Sequence, residues 1–285
     1  MKYAISAATG HFGQLAINEL LKEISASDIT AVVRNVDKAK KVLPAGINIA
    51  RADYTDKKAL VEALKGIDKL LFISSVPGGD ISRETQHRNV VEAAKESGVS
   101  YIAYTSFAKA DDAKSALSSD HKATEKMIKE SGLKYSFLRN AWYLENEMSY
   151  LKAGAAGQDA VYAAGEGKIG FALEREYAVA AAKVMELDTP KDIYEFAGKP
   201  VTYAELGQAV KEVTGKSFEF KSVSDDEYRQ SMIKAGFDEG TADVFVGMQE
   251  MMRDNELNVD STDLPDVLGH NLAILPDAVK EILNR

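Results

Sequence analysis

The chain has 285 residues, 45% of them apolar, enough to bury one large core or one core with a smaller lobe. Its 35 basic and 44 acidic residues give a formal charge of −9 with no basic block, which argues against a nucleic-acid or anionic-membrane partner. It contains no cysteine, so disulfides, thiolate chemistry and cysteine-ligated metals are excluded. The N-terminus runs straight into a strand pattern and no apolar run approaches spanning length, so a cytoplasmic protein is expected.

The first element is Tyr3-Ala4-Ile5, followed by Ser6-Ala7-Ala8-Thr9-Gly10-His11-Phe12-Gly13 and then a helical pattern through Leu15, Ile17, Leu20, Leu21 and Ile24. Small residues between an apolar strand and a helix let backbone N–H groups approach a pyrophosphate at the positive end of the helix. Ala7, Gly10 and Gly13 keep the spacing G-x-x-G-x-x-G, with alanine at the first place. The turn from Ala7 to Gly13, with Thr9, His11 and Phe12 inside it, is the candidate phosphate seat. The alternative is an ordinary strand-turn-helix with glycines for geometry.

Ile29 to Val33 is an apolar, β-branched run of the buried-strand type, ending at Arg34-Asn35. Strand and helix then alternate through Ile47–Ala50, a helix over Lys57 to Leu64, Lys69–Ile73, a helix from about Ser82 to Ser97 ending at Gly98, and Tyr101–Tyr104. A helix near His121 to Ser131 and the strand Tyr135–Leu138 complete six strands and five helices. Such alternation predicts an α/β fold, a Rossmann-like parallel sheet with helices on both faces and ligands at the strands' carboxyl ends. Beyond Asn140 the rhythm breaks, and a smaller, mainly helical α/β lobe is expected over 141–285. Residues 1–140 form the expected NADP-binding domain, with 170–198 returning to it. Capping boxes at Thr202-x-x-Glu205 and Ser224-x-x-Glu227 open two helices, and Met248, Met251 and Met252 cluster in a third.

Arg34 follows the second strand, where an acid would receive the 2′-hydroxyl of NAD and an arginine accommodates the 2′-phosphate of NADP. No acid stands beside it, so NADP is the better reading, with Lys38 in support one turn into the next helix. Asp53-Tyr54 ends the third strand, suited to the adenine amino group or equally to a turn. Ser74, Ser75, Thr105 and Ser106 bring small hydroxyls to the ends of the fourth and fifth strands, on the ribose and nicotinamide side.

None of the four histidines forms a metal-ligand pair, so no metal is expected. His87 reads as helix packing. His121, with Glu125 one turn on, either orients substrate and passes a proton or belongs to a surface ion-pair face. Leu138-Arg139-Asn140-Ala141-Trp142-Tyr143 carries the single tryptophan, and its aromatics and amides suit a flat ring or a hinge between lobes. His121, Asn140 and Tyr143 are the expected catalytic residues.

Together Ala8-Thr9-Gly10-x-x-Gly13, Val33-Arg34-Asn35, Ala52-Asp53-Tyr54, Phe72-Ile73-Ser74-Ser75, His87-x-Asn89-Val90-Val91 and Ala103-Tyr104-Thr105-Ser106 resemble the NmrA-like group of atypical short-chain dehydrogenases. So do His121-x-x-x-Glu125-Lys126-Met127 and Leu138-Arg139-Asn140-x-Trp142-Tyr143-x-Glu145-Asn146. The resemblance runs over nearly the whole chain and is nearest to the bacterial NADPH:quinone oxidoreductases of short-chain type, then to the triphenylmethane reductases. It implies NADPH on the sheet domain and hydride transfer to a quinone or similar flat acceptor, without the Tyr-x-x-x-Lys pair of ordinary short-chain dehydrogenases. Dye or xenobiotic reduction, and a regulatory protein that senses NADP(H) without turnover, are the alternatives. A homodimer is a further expectation.

Overall fold

The computed structural model describes residues 1–78 and 80–284. The first half alternates as expected: β1 (Tyr3–Ile5), α1 (His11–Leu20), β2 (Ile29–Val33), α2 (Val36–Val42), β3 (Asn48–Arg51), α3 (Lys57–Ala63), β4 (Lys69–Phe72), α4 (Arg83–Ser97), β5 (Tyr101–Phe107), α5 (Ala116–Ser131) and β6 (Lys134–Asn140). There follow β7 (Trp142–Tyr143), α6 (Met148–Ala155), β8 (Ala160–Tyr162), β9 (Phe171–Ala172), α7 (Glu174–Glu186) and β10 (Ile193–Phe196). The C-terminal stretch carries α8 (Tyr203–Thr214), β11 (Phe220–Ser222), α9 (Asp225–Lys234), α10 (Glu239–Arg253), α11 (Asp263–Leu268) and α12 (Leu275–Leu283).

Seven parallel strands pair in the order β10-β6-β5-β4-β1-β2-β3, so the strand order reverses between β1 and β4. That reversal opens a crevice at the carboxyl ends. Alternate residues of each strand enter different layers, because successive side chains point to opposite faces. Tyr3, Ile5, Ala103 and Leu138 join α1, α7 and α11 in one core, whereas Ala4, Phe72, Tyr104 and Phe137 join α3, α4 and α5 in another. A third core, around Leu144, Leu151, Phe171, Tyr203, Leu206 and Met252, belongs to the C-terminal elements.

Local chemistry sets the element ends. Asn35, Asp56, Ser82 and Ser115 cap α2, α3, α4 and α5 through their side chains, and both expected capping boxes form. Gly98 closes α4 at φ 84°, where a side chain would be strained. Two expectations are corrected. The Ser115 cap starts α5 five residues before His121, and β5 and β6 run on to Phe107 and Asn140. Thr105, Ser106, Arg139 and Asn140 are therefore strand residues, fixed by the ladder between β5 and β6. No helix among the described residues is long and apolar enough to cross a membrane.

Candidate active site

Beyond β1 the chain turns at Ala7, whose φ of 48° is left-handed, and the Gly10 amide closes the turn onto the Ala7 carbonyl at 2.9 Å. Gly13 is obligatory here: a Cβ would stand 2.7 Å from the Ala8 Cα and 2.9 Å from the Ala7 carbonyl oxygen. Helix α1 opens at Gly10 with no side-chain cap and no acidic residue in its first turn. Its first N–H groups thus face the crevice as an electropositive end. Ala7 and His11 are exposed, Thr9 is half-buried, and Phe12 is buried. The His11 Nδ1 lies 2.6 Å from Glu174 Oε2, tying the start of α1 to the start of α7.

At the rim, the Arg34 side chain is 82% exposed, with Nε 3.9 Å from Asp53 Oδ2. Lys38 is exposed, and its amide is held by Asn35 Oδ1 at 2.8 Å. Asp53 Oδ1 accepts from the Thr55 amide at 2.9 Å and from its hydroxyl at 2.8 Å, so the aspartate builds the turn it sits in. Tyr54 points inward, donating to the Ile73 carbonyl at 2.7 Å, and the Ser6 hydroxyl donates to the Tyr54 oxygen at 2.5 Å. Burial pushes the Tyr54 phenol well above the ordinary range.

Between these groups the backbone just after β4 is tied from below by five side chains from four elements or loops. Ser6 accepts the Ile73 amide at 2.9 Å and Tyr54 donates to the Ile73 carbonyl. Thr105 accepts the Ser74 amide at 2.9 Å, and His87 Nε2 accepts the Ser75 amide at 3.0 Å. Arg83 Nε donates to the Ser75 carbonyl at 2.7 Å. Ser74 and Ser75 are half-buried on this strip, whereas Ser106 is buried and donates to Glu125 Oε1 at 2.6 Å.

The structure does not bring His121 together with Asn140 and Tyr143. His121 is 5% exposed in the α5 layer, with Nε2 3.1 Å from Arg83 and Nδ1 2.8 Å from the Tyr104 hydroxyl. The surface ion-pair expectation is corrected, and so is that of a proton carrier. A guanidinium only donates, so Nε2 must be an acceptor and the ring must be neutral. Burial, then the charge of Arg83, holds its pKa well below the ordinary value. Glu125 pairs instead with Arg139, at 2.9 Å to Nε and 2.7 Å to the guanidinium terminus. Arg139 also reaches Asp111 and Glu195.

Asn140 and Tyr143 stand on the α1 and α7 side. Asn140 Nδ2 donates to the Tyr143 hydroxyl at 2.9 Å, and Asn140 Oδ1 is buried without a protein partner. The Tyr143 ring lies between Phe12, at 6.1 Å between centroids, and Tyr177, at 5.0 Å. Burial raises the Tyr143 pKa, and the phenol stays protonated.

This crevice joins an electropositive helix end, an arginine beyond β2 and an amide-phenol pair beyond β6. A model of proteins described as NAD(P)H-binding matches residues 7–155. The chain belongs to the NAD(P)H-binding family. It is 38% identical to quinone oxidoreductase 2 of Escherichia coli strain K12, over 99% of this chain and 98% of that one. The crystal structure of the NADPH-dependent quinone oxidoreductase of Escherichia coli with NADPH superposes with a TM-score of 0.93 at 37% identity, covering 99% of this chain and 100% of that one. Triphenylmethane reductase of Citrobacter sp. also gives 0.93, at 34% identity and full coverage of both chains.

Within this NAD(P)H-binding fold, sequence reasoning passed over Ser6 and Arg83 and read His87 as packing alone. Ser6 had a signal, a hydroxyl at the end of an apolar strand. Arg83 and His87 had none, because their partners lie on other elements. A separate cavity of about 520 Å3 between Lys109, Arg139, Glu195 and Asp263 adjoins the ion-pair cluster rather than this crevice.

Proposed function

We propose that this chain is an NADPH-dependent reductase that passes hydride to quinones. The observation that carries the reading is the Asn140–Tyr143 pair, set across the carboxyl edge of the sheet from a phosphate turn in which a Cβ on Gly13 would collide with backbone. Its 38% identity to quinone oxidoreductase 2 over 99% of the chain supports the same reaction class.

The residues fit a dinucleotide. The turn over Ala7, Thr9, Gly10, His11, Phe12 and Gly13, with the free end of α1, would hold the pyrophosphate. Arg34, whose exposed guanidinium has only a distant aspartate beside it, would take the 2′-phosphate with Lys38. Asp53 and Tyr54 border the adenine side, and Ser74 and Ser75 the ribose and nicotinamide side; Ser106 is corrected to a structural residue, because its buried hydroxyl is donated to Glu125 in the α5 layer. NADPH, when bound, supplies the hydride.

The protein's part is to orient the acceptor and stabilise charge on its oxygen. Tyr143 takes an N–H from Asn140 on its oxygen, which leaves its own proton to donate. Because burial keeps that phenol protonated, it is a hydrogen-bond donor at all physiological pH values. A reduced quinone is a stabilised oxyanion, so such a donor suffices where a ketone demands a stronger acid. The rings of Phe12 and Tyr143 pack against each other beside this donor, an apolar surrounding suited to a flat ring.

Steady-state oxidation of NADPH and NADH against a panel of benzoquinones, naphthoquinones and triarylmethane dyes tests the reading. NADPH-preferring quinone turnover is expected. Tight NADPH binding with no oxidation by any acceptor would overturn it in favour of a dinucleotide sensor, and turnover of dyes alone would reassign the acceptor.

A further inference from the structure

Five side chains use the successive backbone groups from Ile73 to Ser75, and two of them, Arg83 and His87, come from α4 in the layer beneath the sheet. Such a strip is an extension of β4 made with side chains in place of a neighbouring strand. We propose that His87 and Arg83 are positioning residues that clamp the amide and carbonyl of Ser75, beside the Ser74 amide held by Thr105, as a preformed floor for the nicotinamide half of NADPH. This rests on the cofactor reading above.

The hydrogen-bond directions fix the clamp. The Ser75 amide can only donate, so His87 Nε2 accepts it, and the Ser75 hydroxyl lies 3.1 Å from the same nitrogen. The proton of His87 therefore sits on Nδ1 and is donated to Thr124 Oγ1 at 2.8 Å, which in turn donates to the Asp120 carbonyl at 2.8 Å. His87 is fully buried, edge-on to Phe72 at 5.0 Å, with Tyr104 beside it. Arg83 is 8% exposed: Nε holds the Ser75 carbonyl, one terminal nitrogen donates to His121, and the other has no hydrogen-bond partner, with Asp120 3.7 Å away. His121 and Tyr104 brace Arg83 from behind. Core packing alone would not need an imidazole acceptor and a guanidinium donor on opposite sides of one residue's peptide groups. A cofactor floor does, because a loop already ordered loses less entropy on binding.

The test uses two readouts besides turnover. His87→Phe keeps the ring volume and removes the acceptor; His87→Gln restores an acceptor and a donor. In the ligand-free protein, amide hydrogen exchange over 73–75 should accelerate at least tenfold in His87→Phe and return most of the way in His87→Gln. By NADPH fluorescence titration, the Kd should rise about five- to tenfold in His87→Phe, the loss of roughly one backbone hydrogen bond. The KM for NADPH should follow, and kcat at saturation should stay within about twofold. A folded His87→Phe protein with wild-type exchange and wild-type Kd overturns the proposal. If His87→Phe does not fold, Arg83→Met breaks the other side of the clamp and is read the same way. Failure of the wild-type chain to bind NADPH would sink the cofactor reading, while the exchange measurement would still decide whether the clamp exists.

Discussion

Two buried polar layers differ in whether they can exchange a proton. Beneath the sheet, Arg83, His87, His121, Glu125 and Arg139 form networks in which each carboxylate or imidazole meets a cation or a fixed donor. Burial and the charge of Arg83 push His87 down to about 3, so it stays neutral. In the C-terminal lobe, Glu147 accepts from the Trp142 indole at 2.9 Å and from the Tyr203 hydroxyl at 3.0 Å, but no cation pairs with it among the described residues. Burial there outweighs the two hydrogen bonds and pushes Glu147 up to about 7. The first layer is built to hold a shape at every physiological pH. The second holds one proton that leaves near neutrality, next to the strand that carries Tyr143.

The sharpest way to break this contrast is to turn the first layer into the second. Arg139→Met removes the only cation bonded to Glu125 among the described residues, and leaves this carboxylate, whose side chain is 4% exposed, with the Ser106 hydroxyl. We expect a loss of about 3–5 kcal/mol in denaturant unfolding at pH 7, the usual cost of an orphaned buried charge. Part of that loss relative to wild type should be recovered on acidification, since a protonated carboxyl is easier to bury. A loss below about 1 kcal/mol would show that Glu125 is solvated and that the layer is not closed.

The pH dependence of stability sharpens the same contrast. Glu147 is raised in the fold, so its neutral form stabilises below the ordinary carboxyl pKa, and that contribution is lost as pH rises through about 7. His87 and His121 are lowered, so they favour the fold above pH 6.5 and work against it as pH falls. Relative to wild type, Glu147→Gln should be nearly neutral near pH 4 and more stable by about 3 kcal/mol above pH 8. Emission from Trp142, the single tryptophan, should show a transition with a midpoint near 7 that this variant abolishes. A wild-type titration with no transition between pH 5 and 9 would place Glu147 among the paired carboxylates.

The sequence displayed the sheet because its periodicity is local: short apolar strands, capped helices and a glycine turn each declare themselves within about ten residues. That Arg34, Asn140 and Tyr143 stand at or just past strand ends was legible for a related reason, since strand ends are predictable. What stayed hidden was the face each residue takes. Asn140 follows Arg139 directly, yet the pleat sends Arg139 toward α5 and Asn140 toward Tyr143 and α1. His121 and Glu125, one turn apart, read as a pair and instead join different networks, because Arg83 and Arg139 come from elements 38 and 14 residues away in the chain. Glu147 looked like one acid among 44, and only tertiary burial distinguishes it.

The smallest effect is expected at Ala7, where the well-satisfied sheet domain keeps a backbone strain. At φ 48° an alanine carries about 1 kcal/mol of left-handed penalty, while glycine there adds unfolded-chain entropy that offsets part of the gain. Ala7→Gly should therefore stabilise by roughly 0.5 kcal/mol, about 1–2 °C in Tm. The turn is already closed with alanine in place, by the Gly10 amide, so the NADPH Kd should change by less than about threefold. An affinity gain beyond about tenfold would mean that the exposed Ala7 methyl stands in the cofactor's path, and the missing glycine would then be a brake on binding rather than a local strain.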